Sequence, residues 1–194
     1  FENSFAGHKA APGSYTFSLK WGSRETGTAA DILPNPLYNV APATYAEYHR
    51  VMYDMEQKVH QMHLLVNSLA AKREQLDQIT GHLPDNDQYR KVHQEGKALS
   101  QKMKDWDEEM VQRKSKAYDD VENFPNKFTA NYMFLLNQTE SDIPQVNQPS
   151  LNLKQQLDAQ WAALKARADT LLEKDLPAFN KLLWEAGVGG IWRN

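Results

Sequence analysis

Two histidines three residues apart, His60 and His63, with Glu56 one turn before the first, form the nearest approach to a metal-binding pattern in this chain. On a helix such spacing places side chains on neighbouring positions of one surface. A di-metal site inside a helical bundle also needs matching carboxylates and Glu-x-x-His sets on other helices, and the sequence offers none. Surface-facing polar side chains are therefore the expectation, with no metal. A second cluster, Asp105, Asp107, Glu108 and Glu109 around Trp106, has the composition of a glycosidase centre, which needs two carboxylates on either side of a scissile bond. Near-consecutive positions on a helix fan around its circumference and do not converge, so a solvated acidic face is expected instead. Ser, His and Asp are all present, but there is no G-x-S-x-G elbow and no glycine-rich phosphate cradle. Cysteine is absent, which removes disulfides, thiolate nucleophiles and thiolate metal sites together. No catalytic residue and no cofactor is expected; the chain reads as a non-enzyme.

Five tryptophans remain. Trp106 and Trp161 fall on apolar helical seams and should be core. Trp21, Trp184 and Trp192 do not, and are the candidate interaction residues, able to cover a hairpin, meet another domain or stack on a sugar. The basic patch Arg113, Lys114 and Lys116 is short and flanked by Asp119, Asp120 and Glu122, and reads as a solvated connector. Net charge is −3 on 25 acidic and 22 basic residues, which provides no field for nucleic acid or an anionic membrane. No apolar run approaches the roughly 20 residues of a membrane span. The chain opens at Phe1 without a basic-then-apolar leader, which reads as a processed chain or a piece of a longer one.

The elements that must position these residues are mostly rods. From Thr44 to Thr80 apolar side chains recur at Tyr48, Met52, Met55, Val59, Met62, Val66, Leu69 and Leu76, a coiled-coil-like seam that only Arg73 interrupts. Glu47, Arg50, Asp54, Lys58, Lys72 and Asp77 occupy the opposite, water-facing side. Thr44 with Glu47 has the form of a capping box, and Gly81 is placed to end the helix as a left-handed residue before Pro84. Asp85 with Gln88 opens a second helix to about Gln112, with its seam at Tyr89, Val92, Gly96, Leu99, Met103, Trp106 and Met110. Gly96 weakens that helix by about 1 kcal/mol relative to Ala, a cost that close approach by another helix rationalises. A shorter helix starts at Asn123 or Pro125, carries Phe128, Tyr132, Leu135 and Leu136, and ends near Glu140. The last rod begins near Ser150 with Leu153, Leu157, Trp161, Leu164, Ala168 and Leu171 on one face. Pro177 predicts a kink, with Asp175 recapping a continuation through Phe179, Leu182, Leu183 and Trp184 until Gly187.

Ahead of the rods, Ser14 to Trp21 alternates, with Tyr15, Phe17, Leu19 and Trp21 on one face, and predicts a half-buried strand. Gly22 to Gly27 is expected to turn and Thr28 to Leu33 to return. A lone hairpin is marginal in water, so it needs a surface to lie on. The expected architecture is mainly α: an elongated up-down bundle of three long helices plus a shorter fourth, with a small N-terminal β-hairpin. Residues 1–40 form the hairpin and linker and residues 41–194 the helical domain. An exposed stretch of helical seam could also pair two copies of the chain.

Three segments carry a resemblance: PGSYTFSLKWG at 12–22, FPNKFTANYMFLL at 124–136 and LDAQWAALKARADTLLEKDLPAFNKLLWEAG at 157–187. Together they resemble the C-terminal region of large secreted bacterial proteins built on a sortilin-type β-propeller of BNR-like (Asp-box) repeats and often labelled glycosyl hydrolases. In that family the end of an Ig-like sandwich hands over to a helical segment. Asp-box sequences are missing here, so any propeller lies outside this chain. Asn35-Pro36-Leu37 stands where the family tends to have a D-P-R-like exit, and Gly-Val-Gly-Gly where it tends to have Gly-Leu-Pro. The resemblance implies a non-catalytic accessory domain, serving as spacer or docking module for the parent's other domains or a protein partner, in an extracellular or periplasmic setting. The alternatives are a carbohydrate-binding module using exposed tryptophans, or a fragment contributing to a glycoside hydrolase.

Overall fold

The computed structural model describes residues 7–117, 120, 123–140 and 144–191. The protein is mainly helical, with an N-terminal two-stranded antiparallel hairpin, three long helical rods and a shorter helix, as the apolar patterning predicts. The chain divides into two compact units, residues 1–58 with 135–152, and residues 59–134 with 153–194.

The hairpin belongs to the first unit. Strand β1 (Gly13–Trp21) pairs with β2 (Arg24–Ile32) in a register running from Gly13↔Ile32 to Trp21↔Arg24. The turn is therefore only Gly22-Ser23, tighter than the expected Gly22 to Gly27. Gly22 has φ +57°, and positive φ at the first of two turn residues, supplied by glycine, matches the right-handed twist of the flanking strands. The expectation of half-burial is corrected: β2 is exposed throughout and β1 everywhere except at Tyr15.

Helix α1 (Pro42–His82) begins two residues before Thr44. Pro42 needs no partner for a backbone N–H at the first helical position, and its fixed φ suits that turn. The helix also runs past Gly81, which has no positive φ. Pro84 does the stopping: it disfavours helical geometry at Leu83. Along α1 the seam residues Tyr48, Met52, Met55, Met62, Val66, Leu69 and Leu76 are buried, and Val59 is half-buried. The seam passes through Lys72, only 7% exposed, and not through Arg73; the steps from Leu69 are three then four. Lys72 is thus removed from the water-facing side where its charge had placed it, its methylene stem lying along the seam.

In the second unit, α2 (Arg90–Met110) starts five residues later than Asp85. The side chain of Asn86 accepts from the N–H of Tyr89 at 3.2 Å, so residues 85–89 make turns. From there the seam holds: Val92, Gly96, Leu99, Met103, Trp106 and Met110 are all buried. A Cβ at Gly96 would lie 2.7 Å from Thr80 Cγ2 on α1 and 3.2 Å from Phe179 Cζ. That is the close approach the glycine predicted.

Helix α3 (Phe128–Thr139) begins after the expected Asn123 or Pro125. Its Phe128 ring stacks on Trp161, 6.3 Å between centroids. Helix α4 (Gln148–Thr170) buries Leu157, Trp161, Leu164 and Ala168, while Leu153 is 40% exposed. The rod then passes through a π turn at Leu171–Asp175 into α5 (Leu176–Glu185). Pro177 cannot supply the hydrogen bond that would reach back four residues. The π turn accommodates this, with the N–H of Leu176 donating to Leu171 O. Asp175 makes no side-chain cap and bonds Lys102 Nζ at 2.9 Å instead. Gly187, φ +78°, ends α5 in a Schellman arrangement: Val188 N donates to Leu183 O at 2.8 Å and Gly187 N to Trp184 O at 3.0 Å.

Candidate functional site

Cross-strand register decides what the hairpin presents. Residues opposite one another share a face, so Tyr15, Phe17, Leu19 and Trp21 join Ala30, Thr28, Thr26 and Arg24. Phe17, Leu19 and Trp21 are 54%, 66% and 81% exposed. On the opposite face Ser14 Oγ donates to Asp31 at 2.6 Å, and Lys20 pairs with Glu25 at 3.5 Å. One face is thus knit by polar pairs and the other is an apolar stripe facing solvent.

The remaining tryptophans separate by role. Trp106 is fully buried and its indole N–H donates to Leu164 O at 2.8 Å. Trp161 is 4% exposed. Trp184 is 79% exposed on α5, in the second unit, whereas Trp21 is in the first; neither unit gathers the two candidates into one platform. Trp192 lies outside the described residues.

The acidic cluster on α2 disperses. Asp107 is buried and takes a two-pronged bond from Arg113, 2.5 and 2.6 Å. Glu109 takes a similar fork from Arg167, 2.7 and 2.8 Å. Asp105 accepts from Gln101 at 2.6 Å, and Glu108 lies 3.7 Å from Lys104. Each carboxylate has its own partner, so the geometry a glycosidase requires does not form. The bond from Arg167 holds Glu109 below the ordinary glutamate range and in return raises Arg167. Arg113 is raised by its bond to Asp107, which takes it out of the purely solvated connector. Asp120 is held low by the backbone N–H groups of Lys116 and Ala117; Asp119 and Glu122 lie outside the described residues.

His60 and His63 are both exposed, and Glu56 turns to a different histidine. His8 donates its backbone N–H to Glu56 Oε1 at 2.8 Å, and its Nδ1 lies 2.9 Å from the same oxygen. Its Nε2 is 2.7 Å from Nδ1 of His49, and His49 stacks on Tyr53 with ring centroids 6.0 Å apart. Glu56, His8 and His49 therefore form a linear chain, with the two nitrogens of His8 used in different directions. Among the described residues no group of three or more His, Cys, Asp or Glu side chains is placed to hold a metal. Beside this chain, within the first unit, lies a hollow of about 440 Å³ whose walls include Tyr38, Tyr45, Tyr48 and His49. Pattern reading had no access to it, because His8 lies in an unpatterned loop and meets α1 across 41 and 48 residues of sequence.

The chain finds no match among protein-family models, curated proteins or solved structures. No helix among the described residues is long and apolar enough to cross a membrane.

Proposed function

We propose that this chain is a non-catalytic helical accessory domain that docks, through the apolar face of its hairpin, against a β-sheet of another domain of its parent protein. The exposed stripe Phe17, Leu19 and Trp21 carries the reading. Alternating apolar and polar faces are the chemistry of a sheet packed on one side and wet on the other, and a two-stranded sheet also offers open edges for further pairing. The seams of α1, α2 and α4 are consumed by packing, and the acidic cluster is consumed by its own ion pairs. The resemblance to the C-terminal region of secreted β-propeller proteins fits this reading, and with it an extracellular or periplasmic setting and a role as spacer or docking module.

The test is to express the polypeptide that the parent gene encodes before Phe1 as a separate piece and mix it with this chain. Association abolished by a Phe17→Ser, Leu19→Ser, Trp21→Ser triple variant is the expected result. Absence of association, or association indifferent to the triple change, overturns the reading, as does turnover of a glycoside substrate by the chain alone. Carbohydrate binding is the second reading, favoured by the exposed indoles of Trp21 and Trp184. It predicts glycan-array signal lost on Trp→Ala at either position, and a blank array removes it.

A further inference from the structure

We propose that the tyrosine-lined hollow of the first unit is a binding site for a small aromatic or sugar-ring carboxylate, with the imidazole of His49 as the group that meets the carboxylate.

Size and lining give the class of ligand. A hollow of about 440 Å³ lies within the roughly 300–1,000 Å³ range of small-molecule sites, which pair apolar or aromatic walls with a few placed polar groups. Tyr38, Tyr45 and Tyr48 are among its walls, and Ile32 and Leu33 add aliphatic surface. Flat aromatic faces suit a ring-shaped body, either an arene or the apolar face of a sugar. Among the described lining residues the basic side chains are Lys9 and His49, and none is an aspartate or glutamate. A ligand with one negative charge is therefore complementary, and a cation is not.

The Glu56–His8–His49 chain gives His49 its part. A carboxylate only accepts, so the Nδ1 of His8 carries the hydrogen of its bond to Glu56. One hydrogen then lies between His8 Nε2 and His49 Nδ1, which are 2.7 Å apart. When both rings are neutral that hydrogen belongs to His49, and the other nitrogen of His49 is an acceptor. When the pair takes up one proton, His8 becomes the donor and is charged beside Glu56, and the outer nitrogen of His49 becomes a donor as well. Glu56 thus offsets a positive charge carried by the pair, and the ring is held in place by His8 at one nitrogen and by Tyr53 across its face. An imidazole so fixed loses little freedom when it meets a ligand, which favours binding. Binding of a carboxylate stabilises the singly protonated pair, so affinity is linked to proton uptake. The other titratable groups facing this pair and the hollow are Lys9, Tyr38, Tyr45, Tyr48 and Tyr53.

The experiment uses the whole chain and three probes: 4-hydroxybenzoate, galacturonate and the uncharged 4-hydroxybenzamide. Binding is followed by calorimetry and by the histidine and tyrosine ring signals in NMR spectra. At least one carboxylate should bind saturably, at least tenfold tighter than the benzamide, and tighter at about pH 6 than at about pH 8. The signals of His49 and Tyr45 should move. A preference for 4-hydroxybenzoate or for galacturonate tells an arene from a sugar. His49→Gln should abolish the advantage of carboxylate over carboxamide while leaving the helical circular dichroism unchanged. If that variant does not fold, the pH dependence of the wild-type affinity decides. Equal binding of acid and amide, no binding of either acid, or affinity unchanged between the two pH values overturns the proposal. None of these outcomes depends on whether the hairpin docks.

Discussion

In α2 the seam residues recur every three or four positions and every one from Val92 to Met110 is buried; in β1 apolar residues recur every second position with equal regularity and Phe17, Leu19 and Trp21 stand in solvent. The sequence signal has the same strength in both. What differs is whether the chain supplies the opposing surface. Helix α2 receives Phe179 of α5 at Gly96 and Leu164 of α4 at Trp106. The second strand of the hairpin extends the sheet sideways without covering its face. Periodicity reports which side of an element is apolar, and only the rest of the fold reports whether that side is covered.

The contrast can be broken most forcefully with two tryptophans. Trp106→Ala should cost about 3–5 kcal/mol, since it opens a cavity in a packed core and removes the indole bond to Leu164 O. Trp21→Ala should change stability by no more than about 0.5 kcal/mol. Urea denaturation of the two variants side by side checks this, and a comparable loss at Trp21 would show that the stripe is covered within the chain itself.

At the next scale, Gly96→Leu should destabilise by about 1–3 kcal/mol, the usual cost of overpacking. The milder Gly96→Ala should be partly rescued by Thr80→Ser, which removes the methyl that a Cβ would meet at 2.7 Å. An unchanged melting temperature for Gly96→Leu would deny the close approach. Asp107→Asn keeps the shape but weakens a charge-assisted fork to a residue that is itself half exposed, so a loss of about 1 kcal/mol is expected.

The smallest effect is in pH. Glu109 has its pKa lowered in the folded protein, first by the bond from Arg167. Its contribution is therefore present above the ordinary glutamate value of 4.5 and is lost as pH falls through the lower folded value. Both side chains are about half exposed, 50% and 49%, so the pair is worth less than about 1 kcal/mol. Comparing the acid limb of the stability profile for wild type and Glu109→Gln isolates it; a difference that does not shrink as pH falls below 4.5 would contradict the assignment.

The rods were legible because each carries a long run of one period. Their ends were less so, since several residues compete to mark them. Thr44 gave way to Pro42 and Gly81 to Pro84, each with two or fewer intervening positions, and the start of α2 moved five residues on, from Asp85 to Arg90. Lys72 was misplaced because its charge outweighed its register, although a lysine stem can lie in a seam. The hairpin's alternation was legible and its exposure was not. The hollow beside His49 was invisible to any reading of local pattern, because its walls come from residues near 9, 12, 33, 38, 45 and 144, and two loops contribute most of them.

The π turn has one more consequence. Buried positions along the last rod run Leu157, Trp161, Leu164, Ala168 and Leu171, then step by five to Leu176 before resuming at Phe179 and Leu183. The extra residue in that turn works as a phase shifter, re-aiming everything beyond it by about 100° relative to an uninterrupted α-helix. A regular α-helix drawn through the same residues would swing Leu176, Phe179 and Leu183 out of the interior and leave Pro177 with no slack to absorb it. The length of this helix, to the single residue, is thus part of what aims its far end.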